Sequence, residues 1–493
     1  MARWNLFGRR SRFLRLLLLL SLAFIVISLH QRHELTSRFG QYIPDLAKDD
    51  CSSYPDLGNI AIVVKTGATE AARLIPTLLK TSLRCVKDPI IVSDLEQEIS
   101  GIKLHNVLAE FAPRAMQGNV DFEIYHLQQQ YQAEGREEDI PKLSSMPHAN
   151  QDWRTAGKSA AWGLDKYKNI RMVELAWRTQ PDREWYFFID ADTYLNWNNL
   201  LVWLSRMDHT EPLYVGQPVR MREHKPKPLD FAYGGAGILL SQAAVRTYSL
   251  ERPGLTQRWD RRIQGWWFGD FMLADALDEE LGLGVTDGTP MLGGESPTAM
   301  PFGPHNWCRP IVTTHHLAPA DARKLLQLER TAGSELLLGR DIYHGVAQPD
   351  LPGQSNDWDN GAEDARFSIA MDAQLSETAH NSLDECEAAC QSEEHCFQYL
   401  FIQQTEIMTN DAIRVESRCH LSSMFRLGQA KPIEHWNDQH KARTSFTSGW
   451  NRPRISAWVK SSSEVDCNNT EQLWDFGHGV VLGDSLGRVL HSS

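Results

Sequence analysis

The run WYFFID, Trp185 to Asp190, has five apolar residues in six and does not alternate. An unbroken apolar run of this length reads as a strand buried on both faces, which requires helices above and below a mostly parallel sheet. Its neighbours fit that frame. NIAIVVKTG (59–67) and PIIVSDL (89–95) read as strands, and ATEAARLIPTLLKTSLRC between them has helical spacing, with Pro76 predicting a kink or a late start. AWGLDKYKNIRMVELAW (161–177), LLVWLSRM, DFMLADALDEELGL (to Gly284) and PADARKLLQLER read as helices. LYVGQPV and RPIVTTHH read as strands, whereas FAYGGAGILLS (231–241) reads as a glycine cluster ending in a helix. Strands and helices alternating from 57 to 345 define one α/β domain.

Composition excludes some functions. The formal net charge is -13, from 50 Lys+Arg against 63 Asp+Glu. Residues 1–33 hold six Arg and no Lys, Asp or Glu, so the remainder carries -13 minus 6, or -19. So acidic a body lacks the clustered cations that a nucleic-acid partner requires. Residues 13–29 form an apolar stretch broken only by Arg15, with five Arg up to and including it, which predicts a single membrane-anchoring helix after a 1–12 cytosolic tail and before a 30–56 stem. The lumen of a secretory compartment such as the Golgi is then expected for the rest; a cleaved signal peptide is the alternative, but no A-x-A-like site follows.

Eight cysteines in such a compartment point to disulfides. Cys386, Cys390, Cys396 and Cys419 cluster, with spacing unlike paired zinc knuckles. They mark a second, smaller module at 379–461, after an acidic linker at 346–378 and before a tail at 462–493 that holds a sequon at Asn468.

Chemistry concentrates where WYFFID ends. Ligands bind beyond the carboxyl ends of strands in open α/β sheets, and Asp190 and Asp192 stand there one residue apart. Two such carboxylates require a compensating cation, and Mn²⁺ or Mg²⁺ accepts carboxylate and phosphate oxygens together. An Asp capping the next helix is the plainer reading. A haloacid-dehalogenase-type phosphatase is disfavoured, because Thr193 falls one place early for that motif. Gly234, Gly235 and Gly237 permit close backbone approach to a ligand or simply a tight turn. Lys166 or Lys168 could neutralise phosphate, although lysines on amphipathic helices are usually solvated. Trp266 and Trp267 offer either packing or a platform for a sugar ring.

WYFFIDADTYLNW, WGLDKYKNIRMVELAW, YGGAGILLS, GDFMLADALDEELG and IVTTHH, in this order, resemble glycosyltransferase family 31, in its Fringe-like and core-1 β1,3-galactosyltransferase-like branch and its fungal membrane-anchored form. The resemblance implies a GT-A fold with a Rossmann-like sheet, a UDP-sugar donor, a glycan or glycoprotein acceptor, Mn²⁺ (or Mg²⁺), and inversion to a β1,3 linkage. It implies that Asp190, Asp192 and His315 hold the metal, with His316 as fallback, and that Asp270 is the base, with Asp275 second. It also places Thr66, Arg73 and Asp94 at the nucleotide. Family members carry an acid where this chain has Gly269. The second module resembles a PAN/apple domain, which implies Cys390–Cys396 nested inside Cys386–Cys419 and a carbohydrate or protein ligand. A catalytically silent binding protein acting through that module is the rival reading.

Overall fold

The computed structural model describes residues 51, 59–149, 158–224, 226–363, 378–407, 413–436, 442–463 and 467. The chain divides into two compact units, Met1–Pro55 and Asp56–Ser493. Everything below concerns the second, since only Cys51 of the first is described. The expected anchor at 13–29 lies outside the described residues. The expected Golgi-type membrane location is corrected: no helix among the described residues is long and apolar enough to cross a membrane. The longest α-helix described, Pro319–Ala332, has 14 residues, short of the roughly 17 a span requires.

The central sheet is built from β1 (Ile60–Lys65), β2 (Ile90–Ser93), β3 (Gln97–Ile99), β4 (Ile102–Asn106), β5 (Trp185–Asp190), β6 (Tyr214–Gly216), β7 (Ile238–Ser241) and β8 (Thr286–Asp287). Their order is β8-β6-β7-β5-β1-β2-β4-β3. The middle strands β5, β1, β2 and β4 are parallel, whereas β7 and β3 run antiparallel to their neighbours. The class is therefore mixed α/β with a mostly parallel centre, as the unbroken apolar run requires. β7 is the exception to the sequence reading. ILLS is a strand, buried throughout, and the helix begins only at Gln242, where the Ser241 hydroxyl accepts from the Ala244 N–H at 3.3 Å. Four apolar residues carry no period long enough to separate a buried strand from a buried helix.

Helix α1 (Ala71–Lys80) follows β1 and carries Pro76 inside it. The segment expected as one helix from 161 is two, α2 (Ala160–Asp165) and α3 (Asn169–Thr179), with Ser159 capping the first. Helix α4 (Trp197–Leu204) is capped by Asn196, whose side-chain oxygen accepts from the Asn199 N–H at 3.0 Å. Helix α5 (Gly269–Leu281) ends three residues before the expected Gly284, because Gly282 takes φ 68° and closes it.

A second sheet pairs 398–407 with both 413–422 and 442–450. Residues 354–356, inside the expected linker, pair with 447–449 and so belong to this sheet. It shares a core with the α/β part: Phe397, Phe425 and Val459 pack in one cluster with Tyr194, Phe302 and Trp307. Backbone bonds of 2.7 and 3.0 Å join Phe302 to Phe425 in both directions. Disulfides Cys386–Cys419 and Cys390–Cys396 form as the resemblance implies, and Cys308 pairs with Cys467.

Candidate active site

The parallel register pairs Lys65 with Asp190, so the last residues of β1 and β5 emerge side by side at the carboxyl edge of the sheet. A cavity of about 820 Å³ opens there. Lys65, Asp165, Asp190, Asp192, Asp270 and His315 face it from five separate segments of chain.

Charge is distributed unevenly. Lys65 Nζ is ion-paired with Asp165 and lies 3.2 Å from Asp190 Oδ1. Burial alone would strip the lysine of its proton, but Asp165 and Asp190 outweigh it and hold the ammonium charged well above its usual range. Asp190 is pushed up by burial, against the pull of Lys65, and Asp165 adds to the rise. Behind this pair Lys168 Nζ bonds Asp165 at 3.0 Å, Asp94 at 3.1 Å and the Thr66 carbonyl at 2.8 Å.

The metal-capable cluster among the described residues is Asp192, His315 and His316, whose ligand atoms lie within 4.8 Å of one another. His315 Nδ1 is 3.3 Å from Asp192 Oδ1, and His316 Nδ1 is 3.8 Å from Asp192 Oδ2. The Thr193 hydroxyl donates to the Gly235 carbonyl at 2.9 Å and sits 3.1 Å from His315 Nδ1, fixing the imidazole against the glycine loop. Gly235 makes this approach possible, since a Cβ there would stand 2.4 Å from the His315 ring. Burial lowers the pKa of His315 and so favours the neutral imidazole that a metal requires, whereas the neighbouring Asp192 carboxylate raises that of His316. One carboxylate oxygen with imidazole nitrogens is a mixed oxygen and nitrogen donor set that suits a divalent transition-metal cation.

Asp270 opens α5 and lines the same cavity. It accepts from the backbone N–H of Gly234 and of Phe271, each at 2.9 Å. Burial pushes its carboxyl up to about 6, while the Gly234 N–H and Lys65 pull the other way. Gly269 precedes it for a steric reason. A Cβ there would come within 2.1 Å of Asn169 Nδ2 and 2.8 Å of the Lys166 backbone, which leaves no room for the acid that family members carry. The second candidate base, Asp275, is buried elsewhere against His224 and Arg262 and does not line the cavity.

The remaining expectations divide. Arg73, Gly234 and Gly235 line the cavity. Thr66 and Asp94 lie behind its wall, with Asp94 accepting from the Ala68 N–H at 2.7 Å. Lys166 lines it, but its ammonium is held by Asp121 at 2.8 Å and by the Trp266 carbonyl at 3.0 Å. Trp266 and Trp267 part company: Trp267 faces the cavity, whereas Trp266 packs 4.7 Å from Phe271. Sequence reading missed Lys65 and Asp165. The signal for Lys65 was a lone cation ending a buried strand in register with Asp190; Asp165, on a short helix, gave none.

Residues 126–261 match the Fringe family, described as Fringe-like. Over 74 residues the chain is 37% identical to the human protein "Beta-1,3-N-acetylglucosaminyltransferase lunatic fringe", and 34% identical to its Xenopus laevis counterpart. Each alignment takes in 13% of this chain and 20% of the relative, so the chain spans about a fifth of the length of these curated relatives. Among solved structures, a glycosyltransferase involved in glycosylation of the major capsid of PBCV-1 aligns with 54% of this chain and 99% of its own, at 11% identity and a TM-score of 0.23, too low to carry an argument. The Fringe match does not reach the C-terminal module. Within 126–261, the stretch that is similar to the Fringe-like family, stand Asp165, Asp190, Asp192 and the glycine loop.

Proposed function

We propose that the protein transfers a sugar from a UDP-sugar to a hydroxyl of a glycan or glycoprotein, in a metal-dependent single displacement that inverts the anomeric carbon. The observation that carries this reading is the meeting, in one cavity, of the Asp192, His315 and His316 cluster with a carboxyl at Asp270 whose pKa is about 6. The Fringe-like match and relatives named as β1,3-N-acetylglucosaminyltransferases support it and, of the Gal and GlcNAc donors considered, favour GlcNAc with a β1,3 linkage.

The division of labour follows from the charges. Asp192 and His315 would hold the metal, with His316 beside them, and bound Mn²⁺ or Mg²⁺ would supply positive charge to the donor diphosphate. Lys65 compensates Asp190 and Asp165, so the site is not left with adjacent unpaired carboxylates. Asp270, ionised above about pH 6, takes the proton of the acceptor hydroxyl. The acceptor oxygen bonds to the anomeric carbon as that carbon's bond to the diphosphate oxygen breaks. The two N–H bonds to Asp270 fix its orientation.

The test is UDP release from a panel of UDP-sugars, with Mn²⁺ or with EDTA, with and without glycan acceptors, beside Asp192→Ala. Metal-dependent release from one donor, lost in the variant, is expected. A chain that binds none of these donors in the presence of Mn²⁺ would sink the reading.

A further inference from the structure

Behind the wall that carries the proposed base lies a buried ion pair that no step of the transfer uses. Asp121 accepts from Lys166 Nζ at 2.8 Å and from the Tyr167 hydroxyl at 2.5 Å, and stands 2.8 Å from His148 Nε2. Asn119 Nδ2 donates to the Tyr167 hydroxyl at 2.8 Å. The side chains of Asp121, Lys166 and His148 are 6%, 7% and 4% exposed, and of this group only Lys166 lines the cavity. Burial pushes the Asp121 carboxyl up, but Lys166 and the hydrogen bonds from Tyr167 and His148 outweigh it and hold it below its usual range, so it stays an anion. The ammonium held in this way donates to the Trp266 carbonyl at 3.0 Å, in the loop 264–268 that leads into α5. Lys166 meets the same chain segment a second time through its backbone. A Cβ on Gly269 would stand 2.8 Å from both the Cα and the carbonyl oxygen of Lys166, and Asp270 is the next residue.

A lysine on its flexible four-carbon stem keeps one place only when its charge is tied down. We propose that Asp121 and Lys166 are positioning residues for the transfer: Asp121 fixes the ammonium, the ammonium fixes the Trp266 carbonyl, and the loop so held sets where the Asp270 carboxyl stands. The inference rests on the transferase reading with Asp270 as its base and adds how that base is kept in place. Helix α5 does not do this by itself. Asp270 is in its first turn, where backbone N–H groups have no intrahelical partner, and the residue before the helix, Phe268, supplies no side-chain cap. The Gly234 and Phe271 N–H groups hold the carboxylate, and Lys166 holds the backbone beneath it. With Asp121 on one side and Trp266 on the other, the Lys166 ammonium serves the protein and not a donor phosphate.

Three variants of the full chain test this: Lys166→Met, Asp121→Asn and the two together. Lys166→Met leaves a buried carboxylate without its cation and should lower the melting temperature, which the double variant should recover because no unpaired charge remains. Transfer should not recover with it. Both variants that lack the ammonium should show kcat lower by about 10–100-fold, the scale of a misplacement of about 1 Å, while the Kd for UDP with Mn²⁺ stays within about twofold of wild type. Asp121→Asn, which keeps the ammonium but loosens it, should lower kcat less. A pair that only supports the fold would regain stability and turnover together. Hydrogen exchange read by mass spectrometry decides the point without turnover, since amides of 266–271 should exchange faster in both methionine variants and those of 272–281 should not. The proposal fails if the double variant or Asp121→Asn turns over at the wild-type rate, or if exchange across 266–271 is unchanged. It fails equally if loss of the ammonium weakens UDP binding about tenfold, which would make Lys166 a phosphate ligand. A wild-type chain that releases no UDP counts against the transferase reading, and the exchange result still judges this one.

Discussion

Two buried polar networks in this molecule obey opposite rules. In the C-terminal module the buried amides of Gln398 and Asn360 and the guanidinium of Arg454 are tied to backbone groups. Gln398 donates to the Asn360 carbonyl at 2.9 Å and accepts from the Arg426 N–H at 2.8 Å, while Asn360 donates to the Tyr399 carbonyl at 3.1 Å. Arg454 donates to the carbonyls of Cys390, Glu393 and Cys396 at 3.0, 2.7 and 2.6 Å. At the end of β5, by contrast, Asp165, Asp190, Asp192 and Asp270 face one cavity with Lys65 and Lys168 as the near cations, and two of the four carboxyls are pushed up in pKa. A satisfied network fixes a fold. One that keeps surplus carboxylates turned toward open space holds its charge ready for something that is not the protein.

The largest effect should come from the proposed base. Asp270→Asn should lower transfer by about 10²–10⁴-fold, the range a positioned base contributes, while leaving the melting temperature at pH 7.5 unchanged or higher. A fall in transfer of less than a few-fold would remove Asp270 as the base. The pH profile sharpens the point. The folded carboxyl keeps its proton up to about pH 6, above its unfolded value, so wild-type kcat/KM should climb between pH 5 and 7. The same shift means that this group's contribution to stability is present below the unfolded pKa and declines as pH rises through about 6. Activity and stability should therefore move in opposite directions across that interval, and Asp270→Asn should flatten both trends.

Next in size, Asp192→Ala should raise the Mn²⁺ concentration for half-maximal activation by at least about 10–100-fold, the loss seen when even a ligand's supporting group is removed. Isothermal titration with Mn²⁺ would check it directly, and unchanged affinity would mean that the Asp192, His315 and His316 cluster holds no metal.

The comparison also explains what could be read from the sequence. WYFFID, NIAIVVKTG and PIIVSDL announced the parallel centre because strands buried on both faces have nowhere to put a polar residue. Asp190 and Asp192 were legible because they stand where a buried strand ends, whereas Asp270 came from the resemblance, its place at a helix start reading by itself only as a cap. Lys65 was not singled out, since a lysine after five apolar residues looks like a strand's polar terminus, and its role depends on a register that only pairing with β5 reveals. ILLS was misread because a strand and a helix of four buried residues look alike in sequence. The nested disulfides came from resemblance; spacing alone left their connectivity open.

The smallest effects should fall in the satisfied network, and they should stay there. Arg454→Met leaves four carbonyls short of a donor, those of Cys390, Gln391, Glu393 and Cys396, and should cost about 1–3 kcal/mol, seen as a lower melting temperature with UDP release intact. Smaller or similar is the loss of Cys390–Cys396, which spans only six positions in sequence. In the chain-entropy view so short a loop restrains the unfolded chain by about 2 kcal/mol. The double variant Cys390→Ser with Cys396→Ser should therefore melt earlier by a few degrees and still release UDP at the wild-type rate. The distinction fails if this variant keeps its melting temperature but loses turnover, because a bridge inside the C-terminal module would then be acting on the cavity, and the shared core around Phe302, Phe397 and Phe425 would be the route to examine.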